Sequence, residues 1–180
     1  MLHITIPATE MFDESTGFFV YSKELTIKLE HSLISISKWE SKWRKPFLHT
    51  RDKSDEEIVD YIKCMTLTQN VDDDAYRRLT RDNIVQINQY IENPMTATTF
   101  REERNGKNNR EIITSELIYY WMIALNIPVE FEKWHLNRLL TLIRVCNVKN
   151  QPPKKMSKRE ILSRNHALNA ARRKQFNSKG

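Results

Sequence analysis

The spacing of apolar residues changes at Ser32, and this change separates a short strand-forming segment from a long helix-forming one. Residues 2–6 and 25–29 both alternate apolar and polar side chains, which is the period of a half-buried strand. A turn at 13–17 leads into a third alternating stretch around 19–21. We therefore predict two or three short strands, and because so small a hairpin is marginally stable alone, it must pack against the rest of the chain.

Beyond this point the apolar residues recur every three or four positions, which is the period of an amphipathic helix. Ser54 followed by Glu57 forms a capping-box pattern, in which the two side chains satisfy free amides of the first turn. The predicted helices run from Ser32 to before Pro46, from Ser54 onward, over a short turn capped by residues 72–74, from Thr80 to before Pro94, over 111–125 and over 130–149.

The 111–125 segment is apolar around much of its circumference, which predicts the central helix of a bundle. A break at 126–128, which contains a proline, separates it from the 130–149 segment. We predict that the two segments form a helical hairpin and that this hairpin is the most stable part of the fold.

The C-terminal segment differs in composition from the rest. Residues 101–110 are almost all polar and predict an exposed loop, and the prolines at 152–153 end the folded region. After them, a cap at Ser157 predicts one more helix with few apolar residues. The fold class is therefore mainly α, of the α+β type. An N-terminal hairpin or small sheet precedes a helical bundle in a single domain over 1–150, and a basic helical arm covers 151–180.

The net charge of +6 is distributed unevenly along the 180 residues. Residues 149–180 contain ten basic residues and one acidic residue, Glu160, whereas residues 1–148 contain 19 basic and 22 acidic residues. A mildly acidic body with a strongly basic terminus predicts an interaction arm. Three readings of the arm stay open: a solvated tail, a nucleic-acid arm, and a segment that docks on an acidic protein helix.

Several function classes are excluded by what the sequence contains. Three glycines are too few for a phosphate-cradling loop, and no apolar run is long enough for a signal peptide or a membrane span. The five histidines are dispersed and lack helical ligand spacing, so we predict neither a metal site nor a cofactor. No catalytic motif is present, so we predict that the protein is not an enzyme. Cys64 and Cys146 are interpreted as small apolar residues of amphipathic helices in a reducing compartment.

The four tryptophans fall on predicted inward faces, so core packing is their first interpretation. Trp39 and Trp43 are flanked by lysine and arginine, and the alternative is that this helix edge binds a partner. The hypothesis for partner binding assigns the groove to these two tryptophans and an orienting role to basic residues of the arm. Those basic residues are Lys154, Lys155, Lys158, Arg159, Arg172 and Arg173.

Short blocks over nearly the whole chain resemble a family of about this length that is encoded in the genomes of tailed bacteriophages of the siphovirus type. The blocks are 29–33, 37–43, 64–70, 114–126, 134–140, 152–157, 164–165 and 168–173. This family is associated with the tail-morphogenesis region and with the role of tail assembly chaperone.

The resemblance implies a protein that binds the tape measure protein, and in some complexes the tail-tube protein, before the tube polymerises. A tape measure is a long helical protein whose exposed apolar stripes favour aggregation unless they are masked. The expected location is the host cytoplasm during assembly, with self-association and nucleic-acid contact as additional expectations and no membrane contact. The alternative is a structural virion protein, a head-tail connector or minor tail component, whose arm contacts a neighbouring subunit or DNA.

Overall fold

The structure is a computed structural model that describes residues 1–13, 17–100, 111–151 and 157–177. It is mainly helical with a small N-terminal β-region, so the predicted α+β class with a helical bundle is confirmed. Two compact units are present, Met1–Asn147 and Val148–Gly180. Among the described residues, no helix has the length and apolarity needed to cross a membrane. The predicted loop at 101–110 lies outside the described residues.

Four strands form two antiparallel pairs, one nested inside the other along the chain. Strand β1 (Leu2–Ile6) pairs with β4 (Leu25–Leu29), and between them β2 (Thr9–Asp13) pairs with β3 (Phe18–Ser22). The β1–β4 pair buries one face, because its alternate apolar residues point towards the helices while the residues between them are exposed. The buried side chains are Ile4, Ile6, Ile27 and Leu29.

The helices follow the predicted order. They are α1 (Leu33–Trp43), α2 (Asp55–Met65), α3 (Asp73–Arg77), α4 (Arg81–Glu92), α5 (Ser115–Ala124), a 3-10 helix (Val129–Lys133), α6 (Leu136–Asn150) and α7 (Lys158–Phe176). The capping box of Ser54 and Glu57 opens α2 as predicted, and Thr80 opens α4 through a second box with Asn83. Local sequence signals therefore placed most helix starts correctly.

The predicted helix over 130–149 is wrong at its beginning. Residues 129–133 form a 3-10 turn, and His135 is extended and makes an antiparallel bridge to Ser32. The amide of Leu136 donates to the carbonyl oxygen of His31 at 2.7 Å. Because this backbone pairing fixes the chain at His135 in an extended conformation, α6 begins only at Leu136.

The prediction that α5 is the central helix is also wrong. Ile118 and Met122 are buried, but Tyr120 is 64% exposed and Ile123 is 76% exposed. The main helical neighbour of α5 is α1, and α6 does not pair closely with it. The apolar residues around the circumference of α5 therefore did not indicate its position in the fold correctly.

The centre of the core lies between α1, α2 and the chain that joins them. Trp39 is fully buried and packs edge-on against Phe47, with ring centroids 5.1 Å apart. Phe47 in turn contacts Tyr61, with 4.0 Å between the centroids. The indole nitrogen of Trp39 donates to the carbonyl oxygen of Glu57 at 2.9 Å. This bond ties the middle of α1 to the first turn of α2.

A buried carboxylate connects α1 to α5. Glu40 is 7% exposed and accepts the Phe47 amide at 2.8 Å and the Ser115 amide at 2.7 Å. Ser115 is the first residue of α5, so one side chain satisfies a free amide of that helix and orders the turn after α1. Glu40 thus sets where α5 begins relative to α1.

Replacing Glu40 with Ala should destabilise the protein by about 2–4 kcal/mol, because two buried amides lose their acceptor. Urea unfolding followed by circular dichroism measures the change. The exposed Glu111 provides the control, since a Glu111→Ala variant should stay within about 0.5 kcal/mol of the parent. Equal effects of the two substitutions would contradict the role assigned to Glu40.

Candidate functional site

The candidate site is an apolar groove of about 470 Å³ between α2 and α4. Its walls come from the sides of the two helices that face each other, and the chain leading into α2 borders it. The apolar lining consists of Phe47, Ile58, Tyr61, Ile62, Ile84, Ile87 and Ile91. Five of these seven side chains are isoleucines, whose β-branching restricts rotation about χ1, so this apolar part of the lining is stiff.

The spacing of apolar residues on each helix explains both the groove and the core beneath it. On α2, Ile62 is 2% exposed, whereas Ile58 is 38% exposed. On α4, Ile87 is 1% exposed, whereas Ile84 and Ile91 are half-buried. Each helix therefore buries one part of its apolar stripe in the core and leaves another part along the groove.

Polar residues border the groove. Arg51 is exposed, and Lys53 is half-buried with its ammonium nitrogen donating to the carbonyl oxygens of Phe47 at 2.9 Å and Thr50 at 2.5 Å. Burial lowers the pKa of Lys53. Asn88 and Glu92 border the groove on α4. Lys53 is therefore held in place by the fold, while the exposed Arg51 is available to an acidic group of a ligand.

The two tryptophans that were proposed to bind a partner lie between α1 and α2 and do not line this groove. Trp39 is 0% exposed. Trp43 is half-buried, its ring lies 6.3 Å from that of Trp39, and its indole nitrogen donates to a carboxylate oxygen of Asp60 at 2.9 Å. Lys42 pairs with the same carboxylate. Both tryptophans pack between helices, which agrees with their first interpretation as core residues. Trp39 offers no surface to a partner in this conformation.

The basic residues proposed for the arm are only partly described. Lys158, Arg159, Arg172 and Arg173 lie on α7, where every described residue from Ser157 to Asn177 is exposed. Lys154 and Lys155 fall outside the described residues. The Ser157 cap predicted from sequence is present, with its hydroxyl accepting the Glu160 amide at 3.2 Å. The described basic residues thus sit on a regular helix with their side chains in solvent.

Sequence reasoning missed a buried polar network that joins residues more than one hundred positions apart. The rings of His31 and His135 meet edge-on with 5.1 Å between centroids, and both side chains are buried. His31 Nδ1 lies 2.5 Å from the Tyr61 hydroxyl, and His135 Nε2 lies 3.0 Å from the Tyr90 carbonyl oxygen. The Tyr90 hydroxyl donates to Glu30 at 2.7 Å. Only the dispersion of the histidines was visible in the sequence, so nothing there indicated that two of them meet.

The network keeps its histidines neutral. Burial, reinforced by the neighbouring His135, lowers the pKa of His31 to about 3, and burial also lowers the pKa of His135. His31 is 2% exposed and His135 is 6% exposed, so the geometry favours a structural role over general acid or base chemistry. In the described ranges no group of three or more His, Cys, Asp or Glu side chains is arranged to hold a metal ion.

Comparison with known proteins adds no relative: no family model, no curated protein and no solved structure matches this chain.

The buried histidines predict that stability falls as the pH falls. The unfolded chain binds a proton at His31 below its ordinary pKa of 6.5, while the folded chain does so only near 3. Above pH 6.5, His31 should therefore cause no change in the free energy of unfolding with pH. By pH 5, protonation of His31 in the unfolded chain should lower the free energy of unfolding by about 2 kcal/mol. Urea unfolding at a series of pH values between 7 and 4 measures this loss.

A His31→Gln variant should lose less stability over this pH range than the parent, because its side chain does not titrate. His49 is exposed, so a His49→Gln variant is the matched control and should retain the pH dependence of the parent. A His31→Gln variant with the full pH dependence would contradict this account.

Proposed function

We propose that this protein is a phage tail-morphogenesis protein that acts as an assembly chaperone, holding a helical segment of the tape measure protein in the groove between α2 and α4. The observation that carries the proposal is the isoleucine-lined groove of about 470 Å³. The resemblance described above supplies the biological setting, and the groove supplies the physical means of binding.

The groove suits an amphipathic helix more than a small polar ligand. Its lining presents Ile58 and Ile84 on facing helices, and both retain exposed surface that a ligand could cover. A client helix with apolar residues at positions i, i+3, i+4 and i+7 presents one apolar stripe that fits between two such rows. Covering apolar surface on both molecules supplies the free energy of binding.

A chaperone of this kind must release its client, and the size of the groove is consistent with modest affinity per site. The groove accommodates only a short part of a long client helix, so several copies along one tape measure would act together through multivalency. Tail-tube subunits that polymerise along the client would then displace them. For these steps the protein would be located in the host cytoplasm during assembly. The tail-tube protein is a second candidate partner.

Charges outside the groove give a basis for orientation. Arg51 at the groove border and the basic residues of α7 are exposed, so acidic side chains of a client can approach them. We assign Lys158, Arg159, Arg172 and Arg173 to orienting the client. Lys154 and Lys155 belong to the same proposal on the basis of sequence.

The second candidate function is that of a structural virion protein. The exposed basic helix α7 favours it, because such a helix suits contact with an acidic neighbouring subunit or with DNA phosphates. Mass spectrometry of purified virions distinguishes the two functions. A chaperone is absent from mature particles, whereas a connector or minor tail component is present at fixed stoichiometry.

Replacing Ile58 with Glu should abolish co-purification with tape measure fragments, because it places a charge in the apolar lining. The two proteins from one phage genome are co-expressed, with a tag on the tape measure fragment. The yield of soluble fragment and of bound chaperone is then measured. We expect a loss of at least about tenfold in bound protein, from the removal of one buried apolar side chain and the burial of a charge.

The control is Val85→Glu, because Val85 is 45% exposed on α4 and does not line the groove. This variant should bind as the parent does. Circular dichroism checks that both variants fold. If Ile58→Glu folds and still keeps the fragment soluble, or if the parent itself does not co-purify with any fragment, the proposed function is wrong.

A further inference from the structure

The hairpin formed by β2 and β3 presents an unusual strand to solvent. Strand β3 reads Phe-Phe-Val-Tyr-Ser and contains no charged residue, no proline and no glycine. Phe18 is 74% exposed, Phe19 is 67% exposed and Tyr21 is 65% exposed. Phe19 and Tyr21 lie on one face of the strand and Phe18 on the other, so both faces of this strand expose aromatic surface.

One edge of β3 pairs with β2, and the described chain places no other strand on its opposite edge. A free edge presents a row of backbone donors and acceptors, and natural sheets usually protect such an edge with charges or proline. Strand β3 has neither form of protection. Strand β2, on the other side of the hairpin, carries the acidic residues Glu10 and Asp13.

We propose that this edge is a self-association site, at which β3 pairs antiparallel with β3 of a second copy of the chain. The distribution of charge favours this occupant. Pairing through β3 places the two uncharged strands at the centre of a four-stranded sheet and leaves the acidic β2 strands at its outer edges. Pairing through β2 would instead place side by side two strands that each contain Glu10 and Asp13, and like charges on adjacent strands are destabilising.

The sequence of β3 also suits a symmetric register centred on residue 20. In that register, Phe19 of each copy lies opposite Tyr21 of the other, and Phe18 lies opposite Ser22. Two aromatic cross-strand pairs then form on one face of the sheet, and directly opposed aromatic residues stabilise antiparallel strands. The surface that is exposed in one copy becomes the contact between two.

The first test is the oligomeric state of the protein alone, measured by sedimentation velocity from about 1 to 100 µM. The parent should form a dimer in this range. Tyr21→Lys should raise the dissociation constant by at least about tenfold, because it removes both aromatic pairs and adds like charges. Tyr120→Lys is a matched control, since Tyr120 is 64% exposed on α5, and it should leave the dimer intact.

The second test fixes the register and does not depend on weakening the contact. In a background with Cys64→Ala and Cys146→Ala, Val20→Cys introduces a cysteine at the centre of symmetry, opposite the same cysteine of the second copy. A short bismaleimide should cross-link this variant efficiently. Ser22→Cys is the control, because residue 22 lies opposite residue 18 and not opposite itself, and it should cross-link at least about fivefold less.

A parent that is monomeric throughout the concentration range overturns this proposal. A dimer that survives Tyr21→Lys but is lost in Tyr120→Lys also overturns it, as does cross-linking at residue 22 that equals or exceeds cross-linking at residue 20. These measurements contain no tape measure fragment, so their outcome is separate from that of the client-binding experiment.

Discussion

The backbone of residues 28–32 is the constraint on which the main body of the protein depends. At this point β4 ends and α1 begins, and two distant segments complete its hydrogen bonds. After α2, the Leu67 amide donates to the Lys28 carbonyl oxygen at 2.8 Å, and the Glu30 amide donates to the Met65 carbonyl oxygen at 2.9 Å. At the start of α6, the amide of Leu136 donates to the carbonyl oxygen of His31. Because buried backbone groups must be paired, these bonds hold the ends of three helices beside the sheet.

The side chains around this junction are polar yet buried, and they bond to specific partners, although Nδ1 of His135 is buried without a hydrogen-bond partner. His31 and His135 meet edge-on at the centre, Tyr61 reaches His31 from α2, and Tyr90 reaches Glu30 from α4. Such a network costs free energy if any member is left unpaired, so it favours one arrangement of helices over others. That arrangement also sets the separation of α2 and α4. The proposed client groove is thus a consequence of how the hydrogen bonds at this junction position α2 and α4.

Two of the exposed apolar surfaces differ in chemistry, and they suit different partners. The groove between α2 and α4 offers mostly apolar side chains with a polar border, which fits an amphipathic helix that has satisfied its own backbone. The edge of β3 offers backbone groups and aromatic side chains, which fits another strand. The two surfaces share no residues, so the proposed self-association and the proposed binding of a helical client do not compete.

The sequence determined the elements that depend on neighbours along the chain. The change of period at Ser32, the capping box of Ser54 and Glu57, and the cap at Ser157 each correspond to a start of structure, because a helix start is set by side chains within three residues of it. The predicted helical class follows from these signals. The basic character of the C-terminal segment was likewise fixed by composition.

Only the tertiary structure decided what depends on residues far apart. The pairing of His135 with Ser32 interrupted a segment whose own pattern was helical, and the carboxylate of Glu40 positioned α5 beside α1 with Ile123 in solvent. Periodicity shows that a helix has an apolar face but not which neighbour covers it. For the same reason the sequence directed attention to Trp39, which the core covers completely, and not to Ile58, Ile84 and Ile91, which keep exposed surface along the groove.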